Sequence, residues 1–429
     1  MITRFTCFLV AFLCLHSLLH ADEERSMEGR FAVFNSFQIK GAGGSDHMEL
    51  AAQYGANTIR TWIVNDETQI LLDRAKQLQQ KMILGVWMPH QGLNGRKGDG
   101  GWNFDYQKKR GDLLAELQTK LDQYDSHSAL LMWGLGNEVH LDEPYLNTVN
   151  EMAKLIHQQN PNRLTCIVII NAPQASIDLI KQHAPEVDMI GVNAYSRGAM
   201  QTAINNLETH WQKPYFFSEY SYRGPWSAAK AVTDHNLELT TSAKVKQLRE
   251  ANPMIEVGEN NMGGVVFVWG QFDNAMGTWF SLLLPEDPTR TLKPNETPLV
   301  TAMGDEMHRY WKGSEPSNRA PVIERMTLND SDQGIEFAAH SQLTVAVTAS
   351  DADDDPLTYR YWFFRVRGEV KGKKVAGPIQ GSSTMAIQTP DEPGEYRLLC
   401  QVYDDHGKVA THHLPLRVFT GSTGISETE

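Results

Sequence analysis

The run Ala129-Leu-Leu-Met132, continued by Trp133-Gly-Leu-Gly-Asn-Glu138-Val-His140, is an apolar segment that closes on a carboxylic acid. Its length and composition read as a buried strand, which places Asn137 and Glu138 at the strand's C-terminal end. Tyr215-Phe-Phe-Ser-Glu219-Tyr-Ser-Tyr222 repeats the layout, a short aromatic run closed by a glutamate. Carboxyl groups at the ends of separate strands meet over one cleft if the strands belong to a (β/α)8 barrel, whose C-terminal rim is open above a packed interior.

Working outward from these two runs, short apolar segments alternate with longer amphipathic ones from Phe31 to about Gly313, the pattern of repeated βα units. Eight strands are expected: Phe37 to Lys40, Thr58 to Ile63, Met82 to Trp87, Ala129 to Gly134, Leu164 to Ile170, Met189 to Asn193, Tyr215 to Ser218 and Val265 to Trp269. Between them, Leu113, Leu114, Leu117, Leu121 and Tyr124 share a helical face, as do Tyr145, Val149, Met152 and Ile156 after a helix-starting Pro144. Ile70, Leu71, Ala75 and Leu78 predict a third such face. Gly41-Ala-Gly-Gly44 follows the first strand without the spacing of a dinucleotide fingerprint, so it reads as a tight loop and an open doubly wound sheet is disfavoured.

The barrel is assigned to residues 31–313, and the polar stretch 314–320 reads as a linker. Residues 321–420 change to period two, as in Leu343, Val345, Val347 and in Tyr396, Leu398, Cys400, Val402; about seven short strands there predict an all-β sandwich. Its Asp351-Ala-Asp-Asp-Asp355 turn reads as a solvated acidic turn in preference to a calcium site. The polar tail 421–429 is expected to be disordered.

Bulk properties narrow the function. A chain of 429 residues, 41% hydrophobic and 21% charged, is that of a globular protein larger than one ordinary domain. Arg4 followed by the apolar stretch Phe5 to Leu19 and by Ala21 reads as a signal peptide, residues 1–21, so the mature chain is expected to be secreted or periplasmic and not inserted in a membrane. With Cys7 and Cys14 removed, Cys166 and Cys400 fall in different domains and imply no disulfide framework. A net charge of −13 disfavours nucleic acid as a partner. Fifteen histidines include no His-Glu-x-x-His run, so neither a metal nor a cofactor is expected.

Cleaving a sugar acetal with retention needs two carboxyl groups roughly 5 to 5.5 Å apart, one protonated and one ionised. Glu138, beside Trp133 at a strand end, is the expected acid/base, with its proton retained through desolvation. Glu219 is the expected nucleophile, with Arg60 and Tyr195 positioned to supply a cation and a donor. Taken alone, either glutamate also reads as an ordinary residue at a helix start.

Gly136-Asn137-Glu138 on the fourth strand, Ser218-Glu219 on the seventh and Trp269 ending the eighth resemble the retaining glycoside hydrolases of clan A. The resemblance covers the barrel and is with families 2 and 5. It implies that Glu138 is the acid/base, Glu219 the nucleophile, and Asn137 the residue bonding the sugar 2-hydroxyl. It also implies that Arg60, in Asn57-Thr-Ile-Arg60-Thr-Trp62, lies beside the nucleophile, and that Tyr195, in Gly191-Val-Asn-Ala-Tyr195, bonds it. A barrel followed by an immunoglobulin-like or cadherin-like domain resembles family 158 endo-β-1,3-glucanases.

Sugar faces stack on exposed aromatics, and Trp62, Trp87, Trp226 and Trp269 fall at or past strand ends, with His90 offering a polar contact. The third loop, Gln91 to Tyr106, carries Trp102 and is expected to wall the cleft. The expected substrate is a β-linked poly- or oligosaccharide, a β-glucan first, with β-1,3 linkage suggested by the family 158 resemblance, cleaved without a metal; a carbohydrate-binding or adhesion protein on an inactive barrel and a transglycosidase using the same pair are the alternatives.

Overall fold

Eight parallel strands, each followed by a helix, close into a barrel in the computed structural model, which describes residues 29–90, 98–100, 104–272, 277–367 and 370–420. The expected signal peptide, the C-terminal tail and the part of the third loop that holds Trp102 lie outside the described residues. The strands are β1 (Ile39–Gly43), β2 (Thr58–Thr61), β3 (Lys81–Val86), β4 (Leu130–Asn137), β5 (Leu164–Ile170), β6 (Met189–Ala194), β7 (Tyr215–Tyr220) and β8 (Asn261–Val266), with β8 pairing back to β1. The helices that follow them are α1 (Met48–Tyr54), α2 (Thr68–Gln77), α3 (Tyr106–Tyr124), α4 (Glu143–Gln159), α5 (Gln174–His183), α6 (Arg197–Asn206), α7 (Thr241–Ala251) and α8 (Ala302–Lys312).

Alternation along the strands decides what fills the barrel. Ile39, Ile83, Met132, Leu164, Val168, Met189, Phe216 and Val265 form one buried cluster, against which Phe31, Val33, Phe34 and Phe37 pack from the N-terminal segment. Their neighbours Ile59, Leu84, Trp133, Ile167, Val192 and Phe217 belong to a second cluster that includes the inward helix faces. Local signals support the helices: Asp105, Asp142, Ser196, Thr240 and Thr301 accept backbone N–H groups at helix starts.

Two local expectations need correction. The eighth strand starts at Asn261, not Val265, and ends at Val266 before reaching Trp269. Gly263 and Gly264 interrupt the apolar run, and Gly263 is needed because it has φ 113° and a Cβ there would lie 2.3 Å from the Ile39 carbonyl oxygen. On α2 the buried residues are Thr68, Leu72 and Ala75, whereas Ile70 is 65% exposed. The face therefore lies to one side of the apolar grouping that the sequence suggested.

Two short strands, β9 (Leu283–Leu284) and β10 (Leu299–Thr301), lie between β8 and α8. After α8 come β11 (Val322–Leu328), β12 (Ile335–Ala338), β13 (Gln342–Ser350), β14 (Thr358–Arg367), β15 (Val370–Gly381), β16 (Thr384–Gln388), β17 (Gly394–Tyr403) and β18 (Lys408–Phe419). Strands β11, β13 and β16 form one sheet, and β15, β14, β17 and β18 the other, so a β-sandwich follows the barrel. Leu343, Val345, Tyr361, Phe363, Leu398, Cys400 and Val402 fill it. The second sheet continues beyond the sandwich, for β18 pairs parallel with β10, and β10 pairs with β9. Sequence periodicity gave no sign of this shared sheet.

Polar groups are buried where the two domains meet. Lys408 of β18 pairs with Asp305 of α8 and lies 3.1 Å from the Tyr54 hydroxyl of α1. The acidic turn is closed by its own backbone: Asp351 Oδ1 accepts from Asp353 N at 2.8 Å and Asp355 N at 3.3 Å. Asp404, distant in sequence, brings a third carboxylate whose oxygen lies within 4.8 Å of those of Asp351 and Asp355. Cys166 and Cys400 are buried and unpaired. Among the described residues no helix is long and apolar enough to cross a membrane.

Burial lowers the pKa of His412 to about 3, with the neighbouring His413 adding to the effect. Below an unfolded value near 6.5 the unfolded chain takes up a proton that the folded chain refuses, so stability is lost as pH falls from there toward 3. His412→Asn is expected to remove up to ~1.4 kcal/mol per pH unit of that slope. Urea unfolding of both proteins between pH 6.5 and 4 measures the difference; parallel curves would exclude His412 as its source.

Candidate active site

Both glutamates sit where a strand carries one residue more than its neighbour. Gly134 of β4 faces Cys166, yet Asn137 faces Val168, so β4 has an extra residue near Gly136. Gly191 of β6 faces Phe216, yet Asn193 faces Glu219, so β7 carries the same irregularity. Bulges at a barrel rim re-aim side chains that strict alternation would send elsewhere. On β7 the bulge lets Ser218 and Glu219, adjacent in sequence, both address the barrel mouth. On β4, Gly136 takes φ 84° and Glu138 φ 55°, and the Glu138 N–H donates to the Val168 carbonyl at 3.1 Å. A side chain at 136 would put its Cβ 2.3 Å from the Tyr145 hydroxyl, which itself donates to the Leu135 carbonyl at 3.1 Å.

Among the described residues three side chains donate to the Glu219 carboxylate. Arg60 Nη1 and Trp62 Nε1 reach Oε1 at 2.8 and 2.7 Å, and the Tyr195 hydroxyl reaches Oε2 at 2.5 Å. Arg60 is 3% exposed and Glu219 5% exposed, so the ion pair is nearly dry. The guanidinium also donates to the Ser218 carbonyl at 2.8 Å and to Asn137 Oδ1 at 2.6 Å. Arg60 thereby ties β2 to both glutamate-bearing strands.

Glu138 has a sparser environment. Asn193 Nδ2 donates to its Oε1 at 2.7 Å and lies 3.3 Å from Asn137 Oδ1, while Asn193 Oδ1 accepts from Ser218 Oγ at 2.8 Å. Burial raises the Glu138 pKa, and the charge of Glu219 pushes it further up; the Asn193 donor and Arg60 pull against this. Hydrogen bonds thus run continuously from Glu138 through Asn193, Asn137 and Arg60 to Glu219. One cleft of about 420 Å³ holds both carboxylates, with Asn137, Tyr195, Trp62, Trp87, Trp226 and Phe267 among its walls.

Of the expected site residues, Glu138, Glu219, Asn137, Arg60, Tyr195, Trp62 and Trp87 meet at this cleft or directly beneath it. Trp269 does not. It is 1% exposed, packs against Tyr54 and Trp311 at ring distances of 5.5 and 5.8 Å, and donates to the His47 carbonyl. The earlier end of β8 puts Phe267 in the cleft in its place, 5.8 Å from both the Trp62 and Tyr195 rings. His90 also stands outside the cleft lining: its ring lies 5.3 Å from that of Trp87, and Asp99 accepts from both the His90 N–H and Trp87 Nε1 at 2.5 Å. Its place is beside Trp87, bracing that ring. Sequence reasoning missed Asn193, Phe267, Phe272 and Phe280. Only Asn193 left a signal, as an amide closing an apolar strand two positions before Tyr195.

Residues 104–230, which include both glutamates, match a model described as the TIM barrel domain of family 2 glycosyl hydrolases. No curated protein matches the chain. Among solved structures the chain is similar to β-glucuronidase 2 from Bacteroides uniformis, covalently bound to cyclophellitol-6-carboxylate aziridine, at 14% identity and TM-score 0.46 over 90% of this chain and 46% of that one. It is also similar to an FMN-binding β-glucuronidase from Faecalibacterium prausnitzii L2-6, at 13% identity and TM-score 0.44 over 90% and 56% of the two chains. A third similarity is to the GH53 catalytic domain from Ignisphaera aggregans, at 14% identity and TM-score 0.41 over 57% and 84%. The chain spans about half the length of the two β-glucuronidases.

Two variants separate the influences on Glu138. Asn193→Ala removes a donor that favours the carboxylate and should raise the Glu138 pKa, whereas Glu219→Gln removes a like charge and should lower it. Side-chain carbon NMR titration reads both shifts, and shifts of the same sign would contradict this account. Gly136→Ala should destabilise the fold by ~2 kcal/mol or more through backbone strain and the Tyr145 clash; an unchanged urea midpoint would show that the bulge relaxes without cost.

Proposed function

We propose that this chain is an exported, retaining β-glycoside hydrolase in which Glu138 is the acid/base and Glu219 the nucleophile. The observation that carries the reading is the pairing of unlike carboxyl environments in one cleft: a desolvated Glu138 with a raised pKa, and a Glu219 approached by a cation and two further donors. The family-model match across both glutamates supports the same class.

In the first step Glu219 attacks the anomeric carbon while Glu138 gives its proton to the leaving oxygen. In the second, Glu138 takes a proton from water, which displaces Glu219 and regenerates both groups. Tyr195, Trp62 and Arg60 hold the Glu219 oxygens in place, so the nucleophile reaches the sugar without searching rotamers. Asn137, fixed by Arg60 at 2.6 Å, is assigned to the sugar 2-hydroxyl. Trp87, 40% exposed, and Trp226, 67% exposed, offer faces for pyranose rings.

The substrate assigned is a β-linked poly- or oligosaccharide, with β-glucan, β-1,3-linked, as the leading choice. Removal of residues 1–21 would release the protein to the periplasm or the cell exterior, and the C-terminal sandwich is taken as an immunoglobulin-like or cadherin-like module. The clan A resemblance supports the mechanism, and the aromatic walls support a saccharide ligand.

Glu219→Ala should abolish turnover of an activated aryl β-glycoside, and azide should restore it with formation of the α-glycosyl azide. Glu138→Ala should lower kcat/KM on unactivated substrates by about 10² to 10⁴-fold. In a panel of purified β-linked polysaccharides, tight binding without cleavage by the unaltered protein would move the assignment to a carbohydrate-binding protein. Transfer to sugar acceptors in preference to water would move it to a transglycosidase.

A further inference from the structure

The C-terminal sandwich reaches the cleft through a buried polar cluster. His413 on β18 places Nε2 2.5 Å from Oε2 of Glu238, a residue of the loop after β7. Its other ring nitrogen, Nδ1, lies 3.2 Å from Arg397 Nη1. A guanidinium only donates, so Nδ1 is the acceptor and the neutral ring carries its hydrogen on Nε2, the nitrogen in close polar contact with Glu238. Glu238 Oε2 also accepts from Thr278 Oγ1 at 2.8 Å, and Oε1 accepts from Lys244 of α7. Lys244 Nζ in turn donates to the Thr278 carbonyl at 3.1 Å. His413 and Lys244 are fully inaccessible, and Thr278 and Glu238 nearly so.

This cluster fixes the backbone two residues before Phe280, which lines the cleft. Phe280 has φ 66°, a left-handed conformation that an aromatic residue holds only where its surroundings over-determine it. Its ring stacks on Tyr222 at 5.4 Å, and Lys244 Nζ lies 5.7 Å from the centre of the Tyr222 ring. Phe280 also contacts Tyr195 at 5.1 Å and Trp226 at 5.9 Å, and Tyr195 bonds Glu219. A line of contacts therefore joins the last strand of the sandwich to the sugar-facing wall.

We propose that His413 is a positioning residue for the cleft, holding Glu238 and Thr278 so that Phe280 keeps Trp226 in place for the saccharide. The C-terminal domain would then serve the active site directly and not only as an appended module. The inference rests on the glycosidase reading for its kinetic consequence, although the coupling itself does not require turnover.

The test compares His413→Leu, which removes the donor, with His413→Gln, whose amide restores one, and with Thr278→Val, which cuts the next link. Assayed on an aryl β-glucoside well below their unfolding temperatures, His413→Leu and Thr278→Val should raise KM about tenfold with kcat within about threefold, and His413→Gln should recover most of the loss. In protein labelled with 5-fluorotryptophan, the Trp226 resonance, identified by its loss in Trp226→Phe, should shift in the first two variants and return in the third. Wild-type KM and an unmoved resonance in either folded disruptive variant would overturn the proposal. So would a lowered melting temperature with no other change. If the unaltered protein cleaves no β-glycoside, the glycosidase reading fails while the fluorine resonance still decides the coupling.

Discussion

The arrangement at the barrel mouth depends on one nearly dry ion pair, Arg60 with Glu219. Removing either partner would leave a charge buried without compensation, a loss of about 3 to 5 kcal/mol by the behaviour of such pairs elsewhere. Such a pair is weak as a source of net stability. Its value lies in geometry, since one rigid guanidinium reaches the Glu219 carboxylate, the Ser218 carbonyl and the Asn137 amide together. Three strands are thereby held in a single register at their C-terminal ends, and a lysine could not hold all three from one planar group.

Around that pair the two acids are made unlike by what surrounds them. Among the described residues Glu219 receives donors on both oxygens, whereas Glu138 receives one from Asn193 and is desolvated by burial. Each glutamate lies beside a strand irregularity, so the chemical difference rests on backbone geometry as well as on side-chain type. The aromatic lining then offers flat apolar surface to a ligand.

Much of this architecture was legible in the residues. Apolar runs such as Leu164 to Ile169 marked the strands because side chains on both faces of a barrel strand are buried. Glu138, Glu219, Arg60 and Tyr195 were legible because each closes or borders such a run. The eighth strand was misplaced because Gly263 and Gly264 present no apolar side chain where backbones approach closely, and the error carried Trp269 into the cleft on paper. Bulges were invisible for a related reason: one added residue changes direction without changing composition. Phe272 and Phe280 lie in a loop with no periodic pattern to announce them, and Asp404 joins Asp351 and Asp355 only through folding.

The pairing of β10 with β18 makes the boundary between barrel and sandwich a covalent notion more than a mechanical one. Hydrogen bonds cross it, the Lys408–Asp305 pair crosses it, and the His413–Glu238 contact crosses it again. Neither half can loosen there without stripping polar groups of the other, so denaturation of the last βα unit and of the sandwich should be thermodynamically linked. A chain cut after its eighth helix would expose a naked strand edge and an orphaned carboxylate, and with them a surface prone to self-association.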